Sequence, residues 1–363
     1  MHIPDGYLSP STCAALYAGS APFWYVALGR VKKALHTRLV PLISLFSAFC
    51  FLIMMFNLPL PGGTTGHAVG VGLATVVLGP WAAMLAVSVA LVIQALFFGD
   101  GGITAIGANC FNMAVVGSLV AYLCYRVIAG RSPIASSRRV VAAGIAGYVA
   151  INVSALLAAV EFGLQPLLFR DALGTPLYCP YPLSVSIPAM MIGHLTVAGM
   201  AELIVTAGLV GLLQRSDASL LKATAGAAAA LSETRHHGGN RRLQPLWAGL
   251  CMLMILTPLG ILAAGTAWGE WVASDFSNPA TRQQIAGASL QQAAPEHAPK
   301  GLEQISQVWT APFSHYAPPY IRSASFGYFL SAMFGAGLII LASNLMGRFM
   351  RGFAVHGQDG SAL

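Results

Sequence analysis

Residues 184–213 read SVSIPAMMIGHLTVAGMAELIVTAGLVGLL, thirty positions that carry two ionisable side chains, His194 and Glu202. As an α-helix the run is roughly 45 Å long, while about 20 apolar residues cross a hydrocarbon core of about 30 Å. Such a run has one ready explanation, a membrane span. The composition agrees: 56% of the 363 residues are hydrophobic and 9% are charged, far from the usage of water-soluble domains.

Working outward, eight further apolar runs stand at about 11–29, 39–56, 68–79, 81–98, 106–125, 139–160, 245–265 and 324–347. The sequence therefore predicts an all-α polytopic membrane protein with about nine transmembrane helices. Seven belong to a first domain, residues 1–214, and two to a second, residues 245–363. Residues 215–244 turn polar and small and read as a cytoplasmic linker, in which His236 and His237 are expected to be solvated. The run at 68–79 spans only about 18 Å as helix and ends at Gly79-Pro80. It reads as a half-span beside a re-entrant loop, which a membrane tolerates only where protein buries the free backbone groups.

The net charge of +7 is a topology signal rather than a nucleic-acid footprint. With the N-terminus outside, fifteen of the nineteen Lys and Arg residues fall inside: those from Arg30 to Arg38, Arg126 to Arg139 and Arg215 to Arg242, with Arg348 and Arg351. Arg170, Arg282, Lys300 and Arg322 fall outside. That split satisfies the positive-inside rule. Six cysteines are scattered singly without a Cys-x-x-Cys pair and read as apolar packing residues.

The first ten residues are Met1-His2-Ile3-Pro4-Asp5-Gly6-Tyr7-Leu8-Ser9-Pro10. No charged leader with a small-residue cleavage site begins the chain, so Met1 is expected to be the mature terminus. A free Met1 amine, the backbone nitrogen of His2 and its Nδ1 then lie along one short covalent path and close two fused chelate rings. Three coplanar nitrogens, completed by a fourth, suit Ni(II) or Cu(II) and suit tetrahedral Zn(II) poorly. Pro4, Asp5-Gly6 and Ser9-Pro10 are turn formers that fit a folded plug.

These ten residues resemble the start of the CbiM/NikM family, the substrate-capturing membrane component of energy-coupling-factor transporters for cobalt and nickel. The resemblance implies that the terminus tucks back into the membrane domain. It also implies that the fourth nitrogen comes from a histidine in a Gly-rich loop, matched here by His67 in Pro61-Gly62-Gly63-Thr64-Thr65-Gly66-His67. Gly107-Ala108-Asn109-Cys110-Phe111-Asn112-Met113 and Gly193-His194-Leu195-Thr196 through Glu202 continue it. The second domain resembles the two-span CbiN/NikN companion, through Thr257-Pro258-Leu259-Gly260, Ala267-Trp268-Gly269-Glu270-Trp271, Lys300-Gly301-Leu302-Glu303 and Tyr328-Phe329-Leu330-Ser331. Lys300 stands where the companion's PDGLE pattern has aspartate.

The expected metal ligands are therefore Met1, His2 and His67, with Asp5, Asn109, Asn112, His194 and Glu202 in support. Asn109 and Asn112 lie one helical turn apart and either hold the plug by hydrogen bonds or pack helix on helix. Ionisable residues inside a span point to function, so His194 and Glu202 read as support for the site or an ion path, against an interhelical polar lock.

The resemblance implies a capture component for Ni(II) or Co(II), carried as cargo. It implies as partners a membrane coupling subunit and ABC ATPase subunits in a prokaryotic cytoplasmic membrane. No Gly-x-x-x-x-Gly-Lys-Ser/Thr occurs, so ATP hydrolysis is expected from partners and the chain is not expected to be an enzyme. The alternative is a self-sufficient metal channel or secondary transporter.

Overall fold

The structure is a computed structural model that describes residues 1–34, 39–225 and 243–359, with side chains through residue 349. Most of the linker, with His236 and His237, lies outside the described residues. Helix α1 (Pro10–Lys33) starts where Ser9 Oγ accepts from the Thr12 amide at 3.1 Å, with Pro10 at the first turn. Serine caps the free N–H groups of a first turn, and proline has no N–H to lose there. Helix α2 (Leu39–Met54) is apolar on all sides and is almost wholly buried, as a central helix must be.

A hairpin of β1 (Leu58–Leu60) and β2 (Thr64–Gly66) comes next, antiparallel, with Leu60 opposite Thr64. Gly62 and Gly63 turn it at φ of 87° and 77°, a region costly for residues with a Cβ. This pair of three-residue strands is the one sheet among the described residues, a local feature of an all-α fold. The half-span predicted at 68–79 is α3 (Val71–Leu78), buried along its whole length and bounded by left-handed Gly70 and by Gly79 at φ 78°. It carries His67 at its approach.

Helices α4 (Pro80–Phe98), α5 (Ile106–Ala129), α6 (Ser137–Leu168) and α7 (Leu183–Ser216) complete the first domain. In the residues beyond the linker, α8 (Gln244–Leu262) and the start of α11 (Ala324–Asp359) frame a segment with two short helices, α9 (Pro279–Ala288) and α10 (Lys300–Ile305). Among the described residues, six helices are long and apolar enough to cross a bilayer: α4, α5, α6, α7, α8 and the 324–349 part of α11. These are six of the nine expected runs, and the count of nine is not confirmed. Helices α2 and α3 are shorter than a span, and α1 carries Ser, Gly, Pro and Tyr along with three cations in its last turn. The chain is a multi-pass integral membrane protein.

The second domain packs on α2. Gly335 admits the Phe51 ring against the α11 backbone, and Tyr328 Oη donates to the Met55 carbonyl at 2.8 Å. Small residues at helix contacts are the usual means of close approach in membranes.

Candidate metal centre

The terminal segment is folded into the protein. Met1 is 3% exposed and His2 1%. Residue 3 is held by a side chain that mimics a backbone strand: the Ile3 amide donates to Asn109 Oδ1 at 2.8 Å, and Asn109 Nδ2 donates to the Ile3 carbonyl at 3.0 Å. The Gly102 amide donates to the same carbonyl at 2.9 Å. The Asp5 carboxylate receives the amides of Ile103 at 3.1 Å and Thr104 at 2.8 Å, and the Thr104 hydroxyl as well. Farther along, the Ser9 amide donates to Gln165 Oε1 at 2.9 Å, and Tyr7 Oη donates to the Trp271 carbonyl at 2.9 Å.

This fit leaves no room for a side chain at residue 102. A Cβ there would lie 2.6 Å from the Asp5 carboxyl carbon. Gly102→Ala is expected to destabilise the protein by about 1–3 kcal/mol, the usual cost of overpacking, read as a lower thermal midpoint in detergent. An unchanged midpoint would show that the plug is not seated here.

The rings of His2 and His67 lie with centroids 5.0 Å apart and planes inclined by 35°. His67 Nδ1 sits 3.1 Å from the Ala68 carbonyl, which accepts only, so the proton is on Nδ1 and the lone pair on Nε2. A second hydrogen bond that fixes the tautomer is the usual support for a metal-binding imidazole. Burial, with the charges of His2 and the terminal amine beside it, lowers the His67 pKa to about 3. The ring is neutral and its lone pair is free of a proton at neutral pH.

Two carboxylates face the expected donors. Glu270 Oε1 is 3.4 Å from the Met1 amine. Asp100 Oδ1 is 2.9 Å from His2 Nδ1, an ion-pair distance without the alignment of a hydrogen bond, and His2 Nε2 has no partner. Burial would raise the Asp100 pKa, but the charge of His2 and its own hydrogen bonds outweigh that and hold the carboxyl below the usual range. Its other oxygen receives Tyr316 Oη at 2.5 Å and Gln94 Nε2 at 3.1 Å. Glu270, Trp271 and Tyr316 all come from the second domain. Of these contacts the sequence marks only one neighbourhood, Ala267 to Trp271.

Glu202, on α7, is fully buried. Its Oε2 accepts the amides of Val69 and Gly70 at 2.8 Å each, and Oε1 accepts the Gly72 amide at 3.0 Å. An acid at the start of a helix satisfies otherwise free N–H groups and the helix dipole, so Glu202 fixes the stretch just after His67. Asn112 lies elsewhere: its Nδ2 donates to Glu161 Oε2 on α6 at 2.8 Å, which is the helix-packing alternative. His194 bonds its own helix, Nδ1 to the Met190 carbonyl at 2.8 Å, while its buried Nε2 has no partner.

Side chains alone do not make a metal site here. Among the described residues no three His, Cys, Asp or Glu groups stand at metal-ligand spacing. The family model for the cobalt uptake substrate-specific transmembrane region matches residues 2–220. The chain belongs to the CbiM family. The fused nickel transport protein NikMN of Rhodobacter capsulatus is 54% identical over 345 residues, covering 95% of this chain and 96% of that one. A probable fused nickel transport protein, LarMN of Lactiplantibacillus plantarum, is 42% identical and covers 94% and 96%. The crystal structure of a truncated transition metal transporter superposes with a TM-score of 0.56 at 52% identity, over 59% of this chain and 99% of that chain. The CbiM region thus ends near α7, and the alignment with NikMN runs on through the second domain.

Proposed function

We propose that this CbiM-family chain is the substrate-capturing component of an energy-coupling-factor importer for Ni(II), with Co(II) as the near alternative. The observation that carries the reading is the burial of the terminal amine and of His2 beside a neutral His67. In this reading the Met1 amine, the His2 amide nitrogen, His2 Nδ1 and His67 Nε2 take the metal in one plane. The fused nickel transport relatives support nickel as cargo, as does a planar four-nitrogen donor set. The affinity order would place copper above both, so its exclusion rests on supply or on rigid geometry.

Glu270 and Asp100 hold the amine and His2 Nδ1 until the metal replaces them. Power for transport comes from a membrane coupling subunit and ABC ATPase subunits. The channel alternative is less well supported, because Glu202 commits its carboxylate to three backbone amides rather than to a path.

Nickel and cobalt titration of the purified chain, followed by visible absorption, tests the reading. His67→Gln is expected to lower nickel affinity by more than the roughly 10–100-fold that loss of an outer-shell partner costs, and to remove the planar-nickel band. Unchanged affinity and spectrum in this variant would overturn the ligand assignment. Uptake that persists in cells lacking the ATPase subunits would overturn the importer reading in favour of the channel.

A further inference from the structure

Above the candidate centre lies a cavity of about 410 Å³ that both domains build. Its inner end is formed by His67, Asp100 and Glu270, and its outer end by Thr266, Trp309 and His315. The first three are buried or half-buried and the last three exposed, so the cavity runs from solvent to the expected ligands. Met1 and His2 are buried, and the cavity lining meets their contacts His67, Asp100 and Glu270.

Three properties identify what this vestibule takes. Its lining includes Asp5, Asp100 and Glu270 and no Lys or Arg, three acids against the Met1 ammonium beside Glu270 and the His2 ring beside Asp100. The occupant is therefore a cation. No three side chains on the wall stand at metal-ligand spacing, so the wall does not strip a metal of its water. And six waters at about 30 Å³ each need roughly 180 Å³, which the cavity exceeds.

We propose that the vestibule is a staging site for the hydrated divalent ion, held through its waters by Asp100 and Glu270 before it enters the chelate. The inference rests on the chelate reading of the centre. Each carboxylate oxygen has two lone pairs, so Asp100 can accept from a metal-bound water while Tyr316 and His2 keep their places. Glu270 touches both the vestibule and the Met1 amine, and so stands at the transfer point. An acidic cleft with aromatic walls focuses its field and raises cation on-rates by about 10–10³-fold. The second domain in this view sets the rate of loading, and the first sets the affinity.

Hexaamminecobalt(III) separates the two steps. It has the outline and hydrogen-bond donors of a hexahydrated ion, but its ammonia ligands do not exchange, so it can occupy the vestibule and cannot enter the chelate. In stopped-flow absorption of nickel binding by the full chain, at ionic strength matched with sodium chloride, it is expected to slow loading several-fold and leave final nickel occupancy unchanged. Thr266→Lys, at the exposed rim, is expected to slow loading by itself and to remove the sensitivity to hexaamminecobalt(III), as is Glu270→Gln. Loading that ignores the complex, or variants that remain as sensitive as the parent, would overturn the staging site while leaving the chelate intact. A parent chain that shows no planar-nickel spectrum would overturn the chelate and the staging site with it.

Discussion

One alanine placed before Met1 is expected to abolish the nickel binding that depends on His67. The added residue turns the Met1 amine into an amide, which carries no charge and must lose a proton before it can bind a metal. It also changes the chelate: Ala-Met-His offers an amine, two amides and Nδ1, four planar nitrogens that need no His67 and that can gather only if the buried terminus leaves its seat. The structure adds a second cost. Met1 is 3% exposed and its nitrogen faces Glu270 at 3.4 Å, so the extension leaves that carboxylate without its cation. Losing one partner of a fully buried pair costs about 3–5 kcal/mol. Glu270 is 22% exposed, so a smaller share applies here, and it falls on the stability of the metal-free protein, read as a lower thermal midpoint. The check is a nickel titration of the native and extended forms, each terminus verified by mass spectrometry. Equal affinity in the two, lost in both on His67→Gln, would sink the amine-ligand model.

Why the sequence disclosed some of this and not the rest depends on the physical quantity each signal measures. Apolar runs report burial or lipid directly, so the helices emerged with near-correct limits. The short third run and its flanking Gly79-Pro80 were enough to mark α3 as something other than a full span. The strands β1 and β2 were hidden because three residues carry no period, although Gly62-Gly63 marked their turn. Asn109 and Asn112 show the limit of helical spacing. An ideal helix puts positions three apart on one face, but the helix widens into a π-turn from Cys110 to Val116, which rotates the residues beyond Asn109 about the axis. Asn109 therefore faces Ile3 while Asn112 faces Glu161. The contacts Met1 to Glu270 and Asp100 to Tyr316 join residues more than two hundred positions apart, and no local pattern links them. They depend on how the second domain settles over the first.

The other large effect is expected at Glu202, a residue that does not point at the metal at all. Replacing it with alanine removes the acceptor for the amides of Val69, Gly70 and Gly72 in a site with no exposure. Each buried donor left unpaired costs about 1–3 kcal/mol, and neighbouring losses do not add fully, so a destabilisation of about 3–5 kcal/mol is expected, the range for removing one buried charged partner. The damage has a direction. Val69 and Gly70 directly succeed His67-Ala68, and the Ala68 carbonyl sets the His67 tautomer, so disorder at the start of α3 reaches the ligand within three residues. Nickel affinity is expected to fall together with the thermal midpoint. Glu202→Gln sharpens the test: its one oxygen can keep the two amides at the Oε2 position, whereas its NH₂ would face the Gly72 N–H donor to donor. Stability and affinity should therefore rank wild type above Gln and Gln above Ala in both measurements. A Glu202→Ala protein that melts early yet binds nickel as tightly as wild type would separate the helix start from the His67 ligand, and would show that the loop is positioned by the hairpin instead.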